Sequence, residues 1–136
     1  KKNNRIYVKY KNGKEDVVPI TKEISMALDT TGALKKVEFE AEYPGGADSW
    51  IQYLQKNLKY PEYASKNGIQ GSVLVEFIVK TDGTLDNIHM VSGPEALKAE
   101  SVRIIRDSGK WIPAKDQGKI VKSYKRQPII YRLEPA

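Results

Sequence analysis

The chain has 136 residues, 40% of them hydrophobic and 29% charged, which suits one compact domain and excludes a disordered composition. It contains no cysteine, so disulfide bonds, thiolate metal sites and cysteine nucleophiles are excluded. The net charge of +6 comes entirely from residues 103–136, where 9 basic side chains accompany 3 acidic ones. Such a segment suits nucleic acid, anionic lipid or an acidic peptide, and equally a solvated basic face.

The first 42 residues predict a separate extension. Apolar residues alternate with polar ones over Ile6–Tyr10, and Asn12-Gly13 supplies the two positive-φ residues of a tight hairpin turn. The returning strand is expected to end at Pro19. A short helix is predicted over 22–28 and a short strand over 36–40. No stretch approaches the ~18–20 apolar residues of a membrane span, so any membrane anchor is expected before residue 1.

Residues 43–136 are predicted as the main domain. The Pro44-Gly45-Gly46 break is expected to precede a helix capped by Asp48 or Ser49, because an apolar stripe with helical spacing follows. Pro61 ends that helix and begins a short helical turn that finishes at Asn67-Gly68. The apolar stripe consists of Trp50, Ile51, Leu54 and Leu58.

A hairpin, a second helix and a last strand follow. Val73, Val75, Phe77 and Val79 alternate along a strand that reverses at Asp82-Gly83 and returns over 85–92. Pro94 begins the second helix and Gly109 follows its end. The last strand is predicted over 119–133.

Pro128 constrains this last strand. Because proline lacks a backbone donor, the strand must lie at the edge of a sheet or be bulged there. The predicted fold class is α+β. It has an antiparallel three-stranded sheet with two helices packed on one face, and an N-terminal β-hairpin extension.

Chemistry-bearing patterns are sparse. His89 is the only histidine, its nearest acidic residue in sequence is Asp86, and a single histidine without cysteines is a weak metal signal. Asp82 beside Gly83 is expected to hydrogen-bond its own turn. We therefore expect no catalytic residue, metal or cofactor. Tyr124 and Tyr131 alternate like core residues of a strand, which argues against a nucleic-acid platform.

Several short motifs lie between Tyr43 and Leu133. Each is common alone, whereas their order and spacing together resemble the TonB C-terminal domain family, in a variant with a Gly-Gly pair. The motifs are Glu42–Gly46, the helix from Trp50 to Tyr60, Tyr60-Pro61 followed by Ala64, Ile69–Val73, Phe77–Val79 followed by Asp82-Gly83, Asn87, Trp111 with Pro113, and Gln127–Tyr131.

The resemblance implies a periplasmic binding domain and not an enzyme. Members of the family are anchored in the inner membrane by a segment that would precede this chain. They work with a proton-driven motor complex there and grip the TonB box of outer-membrane receptors. Pulling on that segment drives uptake of siderophores, cobalamin or glycans. No nucleic acid is implied as a partner.

The resemblance also places the gripping edge on the last strand, at residues 119–126. An extended peptide would add to this edge, and the basic charge would speed encounter with an acidic partner. The residues from 121 to 125 are expected to supply the pairing backbone, and Gln127 beside Pro128 to set where pairing stops. The predicted partner-binding residues are Val121, Lys122, Ser123, Tyr124, Lys125, Arg126 and Gln127.

Two alternatives remain open. Residues 1–42 do not resemble the family's Pro- and Lys-rich spacer, which favours a periplasmic adaptor or sensory module that uses the same fold without a motor. The basic C-terminal third keeps a nucleic-acid binder as a weaker candidate. The exposed edge also permits a strand-exchanged homodimer.

Overall fold

The computed structural model describes residues 5–9, 15–19 and 30–134, and it divides the chain into two compact units, Lys1–Gly32 and Ala33–Ala136. In the first unit, β1 (Arg5–Lys9) pairs antiparallel with β2 (Glu15–Pro19), with Arg5 opposite Pro19. This is the predicted hairpin. The predicted turn at Asn12-Gly13 and helix over 22–28 lie outside the described residues.

The second unit is a three-stranded antiparallel sheet with helices on one face. Its sheet has the order β4-β3-β7, so β3 is central and β7 forms one edge. In chain order the elements are α1 (Gly46–Asn57), α2 (Glu62–Lys66), β3 (Gly71–Val79), β4 (Leu85–Ser92), a 3₁₀ turn (Glu95–Leu97), α3 (Lys98–Arg106), β5 (Ala114–Asp116), β6 (Lys119–Val121) and β7 (Ser123–Tyr131). The predicted α+β class is confirmed.

The core lies between the sheet and the helices. Alternate residues of β3 and β7 direct their side chains to this side, as the period of two predicts. They pack with Trp50 of α1, with Leu97, and with Ile104 and Ile105 of α3. The sheet contributes Val73, Val75, Phe77, Val79, Ile129 and Tyr131, each 1% exposed or less.

Tyr131 anchors the end of β7. Its ring is 1% exposed and packs edge-on against Tyr60 at 5.5 Å between centroids. Its hydroxyl lies 2.9 Å from the Ser101 Oγ, which also donates to the Leu97 carbonyl oxygen. Burial raises the pKa of Tyr131 to about 12, so this hydroxyl remains protonated and joins the strand to α3 at neutral pH.

The first helix begins earlier than predicted. Gly45, not Asp48 or Ser49, is the N-cap, and no side chain caps the helix. Gly45 has φ 89°, and a Cβ there would lie 2.1 Å from the Ser49 Oγ, so a larger residue at this position would clash. Asp48 lies in the first turn, where its charge suits the helix dipole.

The predicted last strand is two strands. Gln117 (φ 51°) and Gly118 (φ 76°) form a two-residue turn that folds β6 back on β5, with Asp116 opposite Lys119. Only Ser123–Tyr131 joins the main sheet. The prediction of one strand over 119–133 was wrong because the turn redirects residues 119–121 to a different partner.

The predicted strand over 36–40 is also replaced, since this segment pairs only at single residues. Phe39 exchanges backbone hydrogen bonds with Lys115, and Glu42 with Ile112. Ala41 between them is 1% exposed and belongs to the core of the second unit. The compact units therefore divide after Gly32, whereas the predicted boundary follows Glu42; as a division of function, that boundary stays a prediction.

Candidate functional site

The backbone groups of β7 divide between two sides. Residues Ser123–Tyr131 pair with β3 without a register shift. On the opposite side, the Tyr124 N–H donates to the Leu34 carbonyl oxygen (3.0 Å). Because successive residues of a strand direct their backbone groups to opposite sides, Arg126, Pro128 and Ile130 also face away from β3. Pro128 thus lies at a sheet edge without a bulge, the first of the two alternatives that its missing donor allowed.

This alternation reduces the number of predicted binding residues whose backbone groups can pair with a partner strand. Ser123, Lys125 and Gln127 direct their N–H and C=O groups to β3, so their backbone is not offered to a partner strand. Val121 belongs to β6, opposite Ala114. The outward-facing members of the predicted set are Lys122, Tyr124 and Arg126, and the same side continues through Ile130, which the prediction did not include.

A short segment already covers one end of the edge. We call residues 33–35 the latch. The Leu34 N–H donates to the Lys122 carbonyl oxygen (2.9 Å), and Leu34 forms a parallel bridge with Ser123. The Lys35 Nζ lies 4.0 Å from the centroid of the Tyr124 ring, a cation–π contact. The latch therefore occupies the edge at 122–124 and leaves the stretch from Arg126 to Ile130 beyond it.

An ionic cluster crosses the helix-free face of the sheet. The Glu76 carboxylate on β3 accepts a hydrogen bond from the Arg126 Nε (3.0 Å) and lies 3.1 Å from the His89 Nε2. The His89 Nδ1 lies 2.8 Å from the Asn87 carbonyl oxygen. The Glu76 side chain is only 12% exposed, so these neighbours replace water as partners of its carboxylate oxygens. The cluster holds Arg126 in place at the edge.

A cavity of about 230 Å³ lies beside β7 on the helix side of the sheet. Its base consists of aromatic rings, with Tyr43 at 5.2 Å from Trp50 and 5.6 Å from Trp111 between centroids. Lys125 and Gln127 of β7 line one side, and the first turn of α1 lines the other.

The β3–β4 turn fixes Trp111 at the base of this cavity. Gly83 has φ 88°, and its carbonyl oxygen accepts a hydrogen bond from the Trp111 N–H (2.9 Å). A Cβ at Gly83 would lie 2.6 Å from the Trp111 carbonyl oxygen, so only glycine fits. Asp82 accepts bonds from the Thr84 N–H and hydroxyl, which lower its pKa and confirm its predicted turn role.

Other kinds of site find little support in the described part of the chain. Among residues 30–134, no group of three or more metal-ligating side chains comes together. None of the helices described there has both the length and the hydropathy for a membrane crossing.

The comparison with known proteins decides the family. Residues 56–133, more than half of the chain, match the family described as Gram-negative bacterial TonB protein C-terminal. The chain belongs to the TonB C-terminal family. The match includes both β3 and the edge strand β7, and it excludes the latch and all of α1 except its last two residues.

Relatives of this chain are TonB proteins. Protein TonB of Helicobacter pylori strain J99 is 27% identical over 103 residues, which are 71% of this chain and 35% of that protein. The solution structure of the H. pylori TonB-CTD resembles this fold with a TM-score of 0.51 at 23% identity, over 68% of this chain and 89% of that one. The chain thus spans about a third of its curated relative.

Sequence reasoning missed three features of this site. The latch pairs Leu34 with residues almost ninety positions later in the chain, and no local pattern in the sequence indicates such a contact. The partners of Glu76 come from two other strands, so only the sheet register could reveal them. The cavity combines residues of four segments. Its one local signal is the proximity of Tyr43, Gly46 and Trp50 in sequence, whereas the sequence pattern indicates a break at Pro44-Gly45-Gly46 and a helical apolar stripe that includes Trp50.

Proposed function

We propose that this chain is the receptor-binding end of a periplasmic TonB-type energy transducer and that the outer edge of β7 accepts an extended segment, the TonB box, of an outer-membrane receptor. The observation that carries the proposal is the orientation of Arg126 and Ile130, whose backbone N–H groups face away from β3 on a strand within the family match. A strand added there would gain main-chain hydrogen bonds that do not depend on its sequence.

The register of the edge suggests where pairing is strongest. Donors are offered at Arg126 and Ile130, and Pro128 between them offers only its carbonyl oxygen. The latch competes for the edge at 122–124. An added strand would therefore pair first over 126–130, which extends the predicted binding residues toward the C-terminus.

The geometry of the β7 edge also suits a complex that has to bear a pulling force. Force along an added strand loads its hydrogen bonds to β7 together, and β7 is held in turn by nine register pairs to β3. The inner-membrane motor complex and the membrane anchor would act through the part of the protein that precedes this chain. Uptake of siderophores or similar cargo, and the absence of any catalytic role, belong to the same proposal.

The basic C-terminal third supports a protein partner with acidic groups. The net positive charge of residues 103–136 acts at long range, and such charge chiefly raises association rates with an acidic partner. The Arg126 and Lys125 side chains are already paired with Glu76 and Glu40, so they are poorly placed to neutralise a phosphate backbone. We propose no nucleic-acid partner.

The test is an affinity pull-down of detergent-solubilised outer membranes from the source bacterium. The immobilised chain is compared with Ile130→Pro, which removes an outward donor, and with Ile130→Ala, which keeps it. Ile130 is 59% exposed, so both variants should fold. Ser123→Pro would not serve, because the Ser123 N–H faces β3. Recovery of β-barrel receptors by the parent and Ile130→Ala but not by Ile130→Pro is expected; equal recovery by all three moves the binding surface elsewhere.

A second candidate is a periplasmic adaptor or sensory module without motor coupling. The observation that favours it is the compact unit Lys1–Gly32, which contains a paired hairpin where a spacer would be extended. Failure of every variant to recover receptors, together with recovery of one soluble periplasmic protein, would support this candidate over the transducer.

The same edge would also serve a strand-exchanged homodimer. Such a dimer would occupy the receptor site, so it would compete with receptor binding. Sedimentation at increasing protein concentration measures it, and Ile130→Pro should lower the dimer fraction more than Ile130→Ala does.

A further inference from the structure

The aromatic cavity beside β7 has a chemistry suited to one kind of guest. Trp50 and Trp111 are 6% and 2% exposed, and their ring centroids lie 5.5 Å apart. With Tyr43 they form a fixed apolar base. Rigid aromatic surfaces of this kind bind aliphatic and aromatic groups, which gain contact area without losing hydrogen bonds to water.

The rim of the cavity does not favour a charged guest. The Lys125 Nζ lies 3.2 Å from the Glu40 carboxylate, and the Lys125 side chain is 17% exposed. Its ammonium is therefore neutralised while its methylene groups line the cavity. The Gln127 side-chain amide donates to the Pro128 carbonyl oxygen (3.2 Å). Glu42 also lines the cavity and would repel an acidic guest.

The position of the cavity relates it to the edge. A strand added to β7 would lie about 4.8 Å from it, and its alternate side chains would point to the helix side of the sheet. Residues directly opposite share a face. The residue opposite Gln127 would therefore direct its side chain to the helix side, where Gln127 and the first turn of α1 border the cavity.

We propose that this cavity receives one apolar side chain, aliphatic or aromatic, of the extended segment that adds to β7, and that it thereby selects the sequence of that segment. The inference rests on the proposed edge binding. The cavity of about 230 Å³ is several times the ~30 Å³ share of one water, so an isobutyl or a phenyl group fits. Burial of such a group should raise affinity roughly ten- to a hundredfold.

The experiment selects peptides from a display library of seven random residues on the immobilised chain. Dissociation constants of the selected peptides are then measured for the parent and for Ala47→Leu, in which an exposed α1 residue at the cavity is enlarged to fill it. Gln55→Leu introduces the same side chain at an exposed position of the same helix away from the cavity. Gln127→Trp, which enlarges a side chain that already lines the cavity, fills it from β7 and replaces Ala47→Leu if that variant unfolds at lower temperature than the parent.

Selected peptides should share one apolar position. Its replacement by serine should weaken binding tenfold or more to the parent and to Gln55→Leu, but less than threefold to Ala47→Leu or Gln127→Trp. An equal loss in all proteins, an absent apolar preference, or a library without binders would overturn the cavity inference. Ile130→Pro reports on the edge separately. If it alone loses the peptides while Ile130→Ala keeps them, edge binding stands whatever happens at the cavity.

Discussion

The Leu34 carbonyl oxygen accepts a hydrogen bond from the Tyr124 N–H at 3.0 Å. Leu34 lies outside the residues that match the family, and Tyr124 lies on the edge strand within them, so the latch covers part of that edge. Leu34 is 39% exposed, and its contacts with β7 and Lys122 include two backbone hydrogen bonds, while Lys35 adds a cation–π contact. Contacts of this size are worth about 1 kcal/mol each, so a strand partner could displace the latch.

The latch predicts a change in amide exchange. Leu34→Pro removes the N–H that donates to the Lys122 carbonyl oxygen, whereas Leu34→Ala keeps it. Loss of about 1 kcal/mol should speed exchange of the Tyr124 amide about fivefold in Leu34→Pro. Hydrogen exchange followed by NMR measures this rate. If Leu34→Ala accelerates exchange as much, the side chain and not the backbone bridge holds the latch.

The contacts of Glu76 predict that the effects of replacing Arg126 and Glu76 on the free energy of unfolding are coupled. Arg126→Ala should lower the free energy of unfolding by about 1 kcal/mol, because it leaves the nearly buried Glu76 carboxylate with His89 alone. The value is modest because the Arg126 side chain is 46% exposed. In Glu76→Gln the same arginine replacement should cost little. Urea unfolding of both single variants and the double variant measures the coupling, and strict additivity would contradict it.

Replacement of two buried serines by alanine should have different effects on the free energy of unfolding. The Ser123 Oγ is buried and, in the described residues, has no hydrogen-bond partner, so Ser123→Ala should leave stability unchanged or raise it by up to about 1 kcal/mol. Ser101→Ala should lower it by about 1–3 kcal/mol, because the Ser101 Oγ bonds both Leu97 and Tyr131. Thermal and urea unfolding compare the two. A clear loss in Ser123→Ala would mean that the Ser123 hydroxyl has a partner in solution.

Glu100 predicts a pH dependence of stability. Burial opposes its ionisation, but hydrogen bonds from Arg103 and from the Lys59 N–H outweigh burial and lower its pKa. A carboxylate with a depressed pKa in the folded state stabilises the fold above its unfolded pKa of ~4.3, and this contribution is lost as pH falls through the folded value. Unfolding free energies measured from pH 7 down to about pH 3 should fall less steeply in Glu100→Gln than in the parent. Parallel curves would contradict this assignment.

Local patterns predicted most of the elements. The alternation of Val73, Val75, Phe77 and Val79 predicted β3 and its buried face, because a strand has a period of two whatever it packs against. Pro128 restricted the last strand to an edge or a bulge, because its missing donor cannot serve a regular central strand. The predicted start of α1 was wrong, because it assumed a side chain that caps the helix. The observed N-cap is Gly45, which has a positive φ and no side chain.

The site depended on contacts that no local pattern encodes. The choice between Ser123 and Arg126 as edge residue follows from the register of β7 against β3, since a shift by one residue exchanges the two sides. The tight turn at Gln117-Gly118 removed Val121 from the edge by pairing β6 with β5.

By itself, the sequence determined the α+β class, the family and the choice between an edge and a bulge for the last strand, because period, turn chemistry and proline act within a few residues. Tertiary structure alone decided which backbone groups of β7 face outward, that Leu34 covers one end of the edge, and that Trp50, Trp111 and Gln127 surround one cavity. The physical reason is distance along the chain. Strand register and ring packing arise between segments whose separation in sequence carries no signal of their contact.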